Sequence, residues 1–343
     1  MNALSPMSDL AAYLEALADP TVAVSPDGIV LGCNTGAAEL FGSDIRNQAL
    51  TLLTRSPAIA QAIRAATLQR EKSRVPYDLY TVPPRAFEAL VAPVVTNAGV
   101  AAVLVTFRDL TREQQIEKMR SDFVANVSHE LRTPLATLSG FVETMQGAAR
   151  NDDKAREEFL KIMKSQASRM SRLIEDLLSL SRIETNEHVA PTSEVDLTQV
   201  VRQTVELLNS VAKNAGCELQ TSFSGPVMVM GDAGELAQVA HNLIENAIKY
   251  SGEGKRVEIA VRRDGDAAVL LVRDNGPGIA AHHVPRLTER FYRVNAQDSR
   301  MRGGTGLGLA ISKHIVNRHR GKLLIESELG RGSTFSVVLQ VSK

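Results

Sequence analysis

The sequence is poor in cysteine: among 343 residues only Cys33 and Cys217 carry a thiol, and they lie far apart. That argues against a disulfide framework or a cysteine metal cluster and fits a reducing compartment. Net charge is missing too, because 39 Lys+Arg offset 39 Asp+Glu. No field strong enough to gather nucleic acid or anionic lipid follows, so neither is an expected partner. Long apolar runs are also lacking. The best, Val100 to Val105, has strand length and falls far short of the ~18 residues of a membrane span. The start, Met1-Asn-Ala-Leu-Ser-Pro6, has neither a basic n-region nor an apolar h-region. The chain therefore reads as cytoplasmic, with membrane attachment expected only if an anchor precedes Met1. What remains is ordinary globular material, 44% hydrophobic and 23% charged, enough for two or three domains at roughly 150 residues each.

Residues 1–110 read as a small mixed domain. Ala11 to Leu17 is a short helix and Thr21 to Val24 a strand. Pro26-Asp27-Gly28 has the turn chemistry to join that strand to Ile29-Val-Leu31 as a hairpin. Helices are expected around Ala37 to Phe41 and Ile59 to Leu68. Strands over Phe87 to Val95 and Val100 to Phe107, joined across Asn97-Ala98-Gly99, close the segment. Hairpin, helices, then antiparallel strands, with the Asp-Gly turn and Asn34…Ala38-Glu-Leu-Phe-Gly42, resembles a PAS sensor domain of α/β build.

Over 111–188 the pattern becomes that of long helices. Apolar residues at Ile116, Met119, Phe123, Val127, Leu131, Leu135, Leu138, Val142 and Met145 step by three and four and form one stripe. After a polar break at 147–153, a second stripe runs through Phe159, Met163, Ala167, Met170, Ile174, Leu177 and Leu180. Two such helices of roughly 35 residues cannot bury their stripes against each other alone. Pairing two antiparallel hairpins into a four-helix bundle solves this, so a homodimer is the economical reading; a monomer packed on its own neighbouring domains is the alternative. From 189 to 343 helix and strand alternate. Leu197 to Asn214, Gly234 to Tyr250 and Gly304 to Arg318 read as helices, with hairpins over 257–272 and 322–339, giving an α/β layer domain. The whole is a multidomain α+β chain.

Two constellations carry chemistry. In Phe123-Val-Ala-Asn-Val-Ser-His129-Glu130-Leu-Arg-Thr133-Pro134-Leu135, His129 lies roughly opposite Val127 and Leu131 and so faces solvent. Glu130 is adjacent, Thr133 stands one turn on, and Pro134 removes a backbone hydrogen bond beside them. An exposed imidazole near its ordinary pKa of ~6.5 is mostly neutral at cytoplasmic pH and can act as a nucleophile. A neighbouring carboxylate can take the proton from one ring nitrogen while the other attacks.

In the second, Asn242 and Asn246 share a helix face with Lys249 and Tyr250 nearby. Amide oxygens there can hold Mg²⁺, and the Lys can meet phosphate. Asp274-Asn-Gly276-Pro-Gly278-Ile279 follows a strand, placing a carboxylate where an adenine amine can donate, beside glycines that permit close approach. Gly303-Gly304-Thr305-Gly306-Leu307-Gly308-Leu309 is a glycine-rich turn expected at a helix N-terminus, suited to phosphate. Gly330-Arg-Gly332-Ser-Thr-Phe335 follows in the last hairpin.

The first constellation resembles the H-box of sensor histidine kinases, and the second, in this order, resembles the N, G1, G2 and G3 boxes of the Bergerat-type α/β sandwich those kinases share with gyrase, Hsp90 and MutL. Arg290-Phe291-Tyr292-Arg293 resembles the F-box, and 288–303 the mobile ATP lid. The resemblance implies His129 as phosphoacceptor, Glu130 as general base, and Thr133 as orienting a water for dephosphorylation of a partner. It implies ATP and Mg²⁺ as cofactors, Arg293 beside the nucleotide, and a separate response-regulator receiver as partner, because this chain contains no receiver. The words upstream of His129 look most like the phosphate-regulon sensors. Hydrolysing relatives place a Glu where Asn242 stands, and an amide cannot serve as base, so phosphate is expected to go to His129 and not to water. A gyrase- or Hsp90-like ATPase and a dimeric scaffold with a decayed kinase are the competing classes. His282-His283 lacks further ligands at metal spacing and reads as surface; Cys33 lacks the surroundings of a flavin-adduct cysteine. No His precedes His129, which excludes a His-ligated haem in the N-terminal domain.

Overall fold

The computed structural model describes residues 6–42, 45–96, 99–147, 149, 152–251, 256–295 and 304–342. The chain divides into two compact units, Met1–Val124 and Ala125–Lys343. Among the described residues no helix is long and apolar enough to cross a membrane.

In the first unit, α1 (Pro6–Glu15) leads into β1 (Thr21–Val24) and β2 (Val30–Cys33), followed by α2 (Thr35–Phe41), α3 (Leu50–Thr54) and α4 (Pro57–Gln69). Then come β3 (Ser73–Leu79), β4 (Arg85–Thr96) and β5 (Gly99–Asp109), in an antiparallel sheet ordered β2-β1-β5-β4-β3. All four residues of β1 are buried, as a central strand requires. Pro76 sits in edge strand β3, where a missing N–H breaks no ladder. The hairpin at Pro26-Asp27-Gly28 forms with Gly28 at φ +82°. Of the expected 97–99 connection, residues 97 and 98 lie outside the described residues. Strand β3 and helix α3 had no counterpart in the sequence reading. The apolar core gathers Val22, Val24, Ile59, Ile63, Phe87 and Val105 with an aromatic cluster in which Phe41 and Tyr77 meet Phe107 edge-on, at 4.9 and 5.5 Å.

Helix α5 (Thr111–Gln146) continues through Pro134, and α6 (Asp153–Asn186) starts on Asp152, whose carboxylate caps the Ala155 amide. Phe141 stacks on Phe159 at 4.9 Å where the two helices meet. The helix bounds agree with the stripes read from the sequence. Much of the stripe is uncovered in the single chain, Leu135 and Ile174 among the exposed positions.

The rest of the second unit runs β6 (Glu194–Asp196), α7 (Leu197–Asn214), β7 (Glu218–Phe223), β8 (Met228–Met230), α8 (Ala233–Ser251), β9 (Arg256–Asp264), β10 (Ala267–Asp274), α9 (Gly308–Arg318), β11 (Lys322–Glu328) and β12 (Gly332–Gln340). The main sheet is ordered β11-β12-β10-β9-β7, antiparallel except for the parallel pair β7/β9, and β6 pairs with β8. Alternate residues Val257, Ile259, Val261, Leu270, Val272, Phe335 and Val337 are buried, the period-2 pattern of a sheet with one covered face. Leu236, Val239, Leu243 and Ala247 of α8 and Ile311 and Ile315 of α9 are buried in the same helix–sheet layer.

The helix expected from Gly304 begins only at Gly308. Gly306 takes φ +75° and its carbonyl accepts from the Phe291 amide at 2.8 Å, so 304–307 form a non-helical turn ahead of the helix. Gly303 and the part of the expected lid over 296–303 lie outside the described residues.

One residue organises the first unit beyond its apolar contacts. Asn34 is 3% exposed; its Oδ1 accepts from the amides of Thr21 and Ala37, and its Nδ2 donates to the carbonyls of Leu17 and Asp19. It caps α2 and ties that helix to β1 and the chain after α1. Asn34→Ala leaves those backbone groups unpaired, and is expected to cost about 2–4 kcal/mol. Hydrogen exchange should show lost protection of the β1 and β5 amides; unchanged protection would assign the asparagine no structural weight.

Candidate functional site

A cavity of ≈ 590 Å³ opens in the second unit among α8, the end of β10 and the start of α9. Its wall contains twelve of the expected residues: Asn242, Asn246, Lys249, Tyr250, Asp274, Gly278, Arg293, Gly304, Thr305, Gly306, Gly308 and Leu309. The 3.6-residue period of α8 accounts for part of this, since its opposite face is spent on the core. Gly276 and Leu307 do not line the cavity. A side chain on Gly276 would meet the Tyr250 carbonyl at 2.6 Å, and Leu307 is fully buried, so both shape the wall from behind.

Asp274 is buried at the end of β10, and burial pushes its carboxyl above the ordinary carboxylate value, with the backbone amides of Gly276 and Ser333 working against that shift. The Gly276 amide donates to Oδ1 at 2.9 Å. Two glycines make the pocket floor possible by letting backbones touch. A Cβ on Gly278 would lie 2.0 Å from the Glu328 carbonyl oxygen, and one on Gly332 would lie 2.0 Å from the Asp274 carbonyl oxygen. Asn242 donates through Nδ2 to the Gly308 carbonyl and Ser312 Oγ, which leaves its Oδ1 as the oxygen available to a cation. Lys249 is paired with Glu245 at 2.9 Å.

The second constellation is exposed on α5. His129 is solvent-facing as expected, and Thr133 Oγ1 donates to the His129 carbonyl at 3.2 Å. A cavity of ≈ 530 Å³ is lined by Asn126, His129, Glu130, Thr133, Phe291, Tyr292 and Arg293. Tyr292 and Arg293 thus stand in the walls of both cavities. Arg293 reaches Glu130 with Nη1 at 3.3 Å from Oε1 and Nη2 at 3.2 Å from Oε2, and Nη2 also donates to the Thr305 carbonyl at 2.7 Å. Its buried Nε has no hydrogen-bond partner among the described residues. The reading from sequence set Arg293 beside a nucleotide; in this conformation its guanidinium lies on a carboxylate of α5.

Phe291 sits at φ +63°, a strained value for a residue with a side chain, and its N–H donates to the Gly306 carbonyl. Tyr292 Oη bonds His283 Nδ1 at 2.6 Å, which gives His283 a partner in the segment around Arg293.

Sequence reasoning missed the contribution of α6. Arg169 Nη2 lies 2.7 Å from Glu130 Oε2, and Asp176 accepts from Thr305 Oγ1 at 2.7 Å. Asp176, Arg172 and Glu175 also line the larger cavity. These side chains occupy the polar side of an amphipathic helix, and nothing local distinguishes them from solvated positions.

Residues 231–343 match the family model described as "Histidine kinase-, DNA gyrase B-, and HSP90-like ATPase", and residues 119–186 match "His Kinase A (phospho-acceptor) domain". The chain is similar to the phosphate regulon sensor protein PhoR of Pseudomonas aeruginosa, 38% identical over 242 residues, which are 71% of this chain and 55% of that protein. It is similar to the sensor protein kinase WalK of Staphylococcus haemolyticus, 35% identical over 242 residues, 70% of this chain and 40% of that protein. The chain thus spans about half the length of the curated relatives it matches. Among solved structures, the histidine kinase AdeS of Acinetobacter baumannii aligns with TM-score 0.50 at 26% identity, covering 63% of this chain and 98% of that one. Histidine kinase ThkA, solved in complex with the response regulator protein TrrA, shares the fold at TM-score 0.54 and 20% identity, covering 96% of this chain and 98% of that one.

Asp176 yields a pH prediction. Burial raises its carboxyl above the ordinary 3.8. A carboxyl so raised binds its proton more tightly folded than unfolded, so stability falls as pH climbs from the unfolded value through the folded one. Asp176→Asn removes that loss while keeping an acceptor for Thr305. The variant should melt higher than the parent near pH 8, with the gap closing as pH falls toward 4. A gap independent of pH would show that the carboxyl does not carry its charge into a costly place.

Proposed function

The chain belongs to the histidine kinase family, and from that premise we propose that it moves the γ-phosphoryl group of ATP to His129 and then to an aspartate of a separate response regulator. One observation carries the reading: Tyr292 and Arg293 wall both the cavity built from the nucleotide boxes and the cavity holding His129 and Glu130. A phosphoryl group leaving the first is thereby offered a short path to the second.

In the proposed reaction one imidazole nitrogen of His129 attacks the γ-phosphorus, the bond to the β–γ bridging oxygen breaks, and ADP leaves. Glu130 takes the proton from the other ring nitrogen. Asp274, buried below the cavity mouth, accepts from the adenine amine, and Gly304, Thr305 and Gly306 bring backbone amides toward the phosphates. The donor set fits a hard cation: Asn242 and Asn246 stand one turn apart on the same wall, and their oxygens would hold Mg²⁺, which would supply neutralisation of phosphate charge. Lys249 and Arg293 add positive charge at that end, so the reaction rests on positioning and electrostatics. Asn242 offers no base for water, which favours a histidine acceptor over hydrolysis.

We assign three functional domains: 1–110 a PAS-like sensor, 111–188 the dimerising hairpin, and 189–343 the ATP-binding domain. The uncovered stripe of α5 and α6 supports a homodimer through a four-helix bundle. Likeness to a phosphate regulon sensor supports phosphate-responsive signalling, and a partner receiver domain completes the pathway. Thr133, one turn from His129 on the same exposed face, is assigned to orienting the water that dephosphorylates that receiver. The chain's own part of the work is cytoplasmic.

Incubating purified protein with radiolabelled ATP tests the central reading. Acid-labile phosphoprotein is expected, absent in His129→Ala, which should still bind nucleotide; release of free phosphate instead would point to an ATPase. Asp274→Asn presents an amide to the adenine amine and should weaken nucleotide binding by about tenfold or more, the scale of a lost charged hydrogen bond. Unchanged affinity would remove Asp274 from the base pocket.

Thr133→Ala separates two roles. If Thr133 positions water, dephosphorylation of the receiver should fall by roughly 10²-fold, the scale of an ångström misplacement, with labelling of His129 largely kept. If its hydroxyl serves only the His129 carbonyl beside Pro134, both rates fall together.

A further inference from the structure

The carboxylate assigned as base carries two guanidinium groups of unequal standing. Arg293 lies farther from it and divides its donors between Glu130 and the Thr305 carbonyl. Arg169 makes one short bond, 2.7 Å to Oε2, and the side chains of this pair are only 14% and 13% exposed. Arg169 belongs to α6 and Glu130 to α5, so this contact lies inside the hairpin and does not depend on where the segment around Arg293 sits. A glutamate side chain has three rotatable bonds, and a carboxylate next to an imidazole in solvent would otherwise sample many of their combinations. A planar guanidinium in a half-closed site removes most of that freedom at the cost of few donors. Tethering Oε2 fixes the plane and position of the carboxylate beside the imidazole, whatever else it meets.

We propose that Arg169 is a positioning residue of the phosphorylation reaction: by holding Oε2 of Glu130 it fixes the carboxylate beside His129 for transfer of the ring proton. The inference rests on the reading of His129 as acceptor and Glu130 as base. The alternative is a staple that merely holds α5 against α6.

A double-mutant cycle on the full chain distinguishes them. Initial rates of acid-labile label are measured against ATP concentration for the parent, Arg169→Ala, Arg169→Lys, Glu130→Gln and the Arg169→Ala/Glu130→Gln pair, alongside thermal melting. Arg169→Ala should lower the maximal rate by roughly 10²-fold with the KM for ATP unchanged, because the nucleotide boxes are untouched. Arg169→Lys keeps the positive charge and a single donor nitrogen and should restore part of the rate. With Glu130 already changed to Gln, removing Arg169 should cost nothing further, as expected of residues acting as one unit. Additive losses in the pair, or a rate loss that tracks a fallen melting temperature and is not relieved by Lys, would overturn the proposal. If Arg169→Ala does not fold, Arg169→Gln keeps the Cβ–Cγ–Cδ stem and a polar end without charge and enters the same cycle. Failure of the underlying reading looks different: the parent itself would take up no acid-labile label, or His129→Ala would keep it.

Discussion

The charge on Glu130 cannot be left alone in a site so nearly closed, and that requirement ties the second unit together. A mostly buried carboxylate without partners costs several kcal/mol. Here it is met by Arg169 from one helix and Arg293 from a loop some 160 residues away in sequence. Arg293 in turn leans on the Thr305 carbonyl, and the Thr305 hydroxyl on Asp176, so the chain of polar contacts returns to α6. Two further links reinforce it on the same helix, Arg290 to Glu184 at 2.6 Å and His314 to Glu187 at 2.9 Å. A joint made this way is easier to rearrange than an apolar one. Each charged group can exchange partners, provided the replacement has the right sign, whereas an apolar contact can only be exposed. For Arg293 the replacement must be an anion, and its unpartnered buried Nε leaves a donor to spare for one.

Glycine does different work in the two halves of the larger cavity. Around Gly304 to Gly308 it lets the backbone turn through the positive φ of Gly306 before α9 begins. Around Gly278 and Gly332 it allows backbone to pass against backbone at distances no side chain tolerates. The second use is what places Asp274. With β12 drawn against the end of β10, the carboxyl is forced below the cavity floor, where burial raises its pKa and only backbone amides oppose the shift. A side chain on Gly332 would therefore displace the aspartate's own backbone, whereas one on Gly278 would push against Glu328 and Leu329.

The sequence was legible where one element carries its own pattern. The stripes of α5 and α6 repeat at helical period over some 35 residues, so their limits emerged within a few positions. Asn242, Asn246 and Lys249 fall on one side of α8 for the same reason. Legibility ended where contacts are long-range. Arg169 and Asp176 look like solvated surface on α6 because their partners, Glu130 and Thr305, lie 39 and 129 positions away. Strands β6 and β8 are only three residues long and have no period to read. The start of α9 was misplaced because the positive φ of Gly306 is imposed by Phe291, a neighbour in space and not in sequence. The first unit resisted for another reason. Its strand β3 carries a proline, which reads as a break until the strand is seen to be an edge.

The uncovered apolar stripe sets a lower bound on what must happen to the hairpin. In the single chain Leu135 is 55% and Ile174 46% exposed, and the stripe residues Ile116, Met119 and Val142 are exposed with them. Fully covering a side chain of this size contributes about 1.5–3 kcal/mol. Since each is already partly covered, five such positions on each of two chains still yield on the order of 10 kcal/mol, comparable with the 4–15 kcal/mol that association costs in lost freedom. Symmetric pairing supplies this twice over with one set of residues, because an isologous interface buries the same patch on both partners. It also leaves His129 free, since the imidazole lies on the side of α5 away from the stripe. The geometry that leaves the stripe uncovered is thus the geometry that keeps the His129 imidazole in solvent.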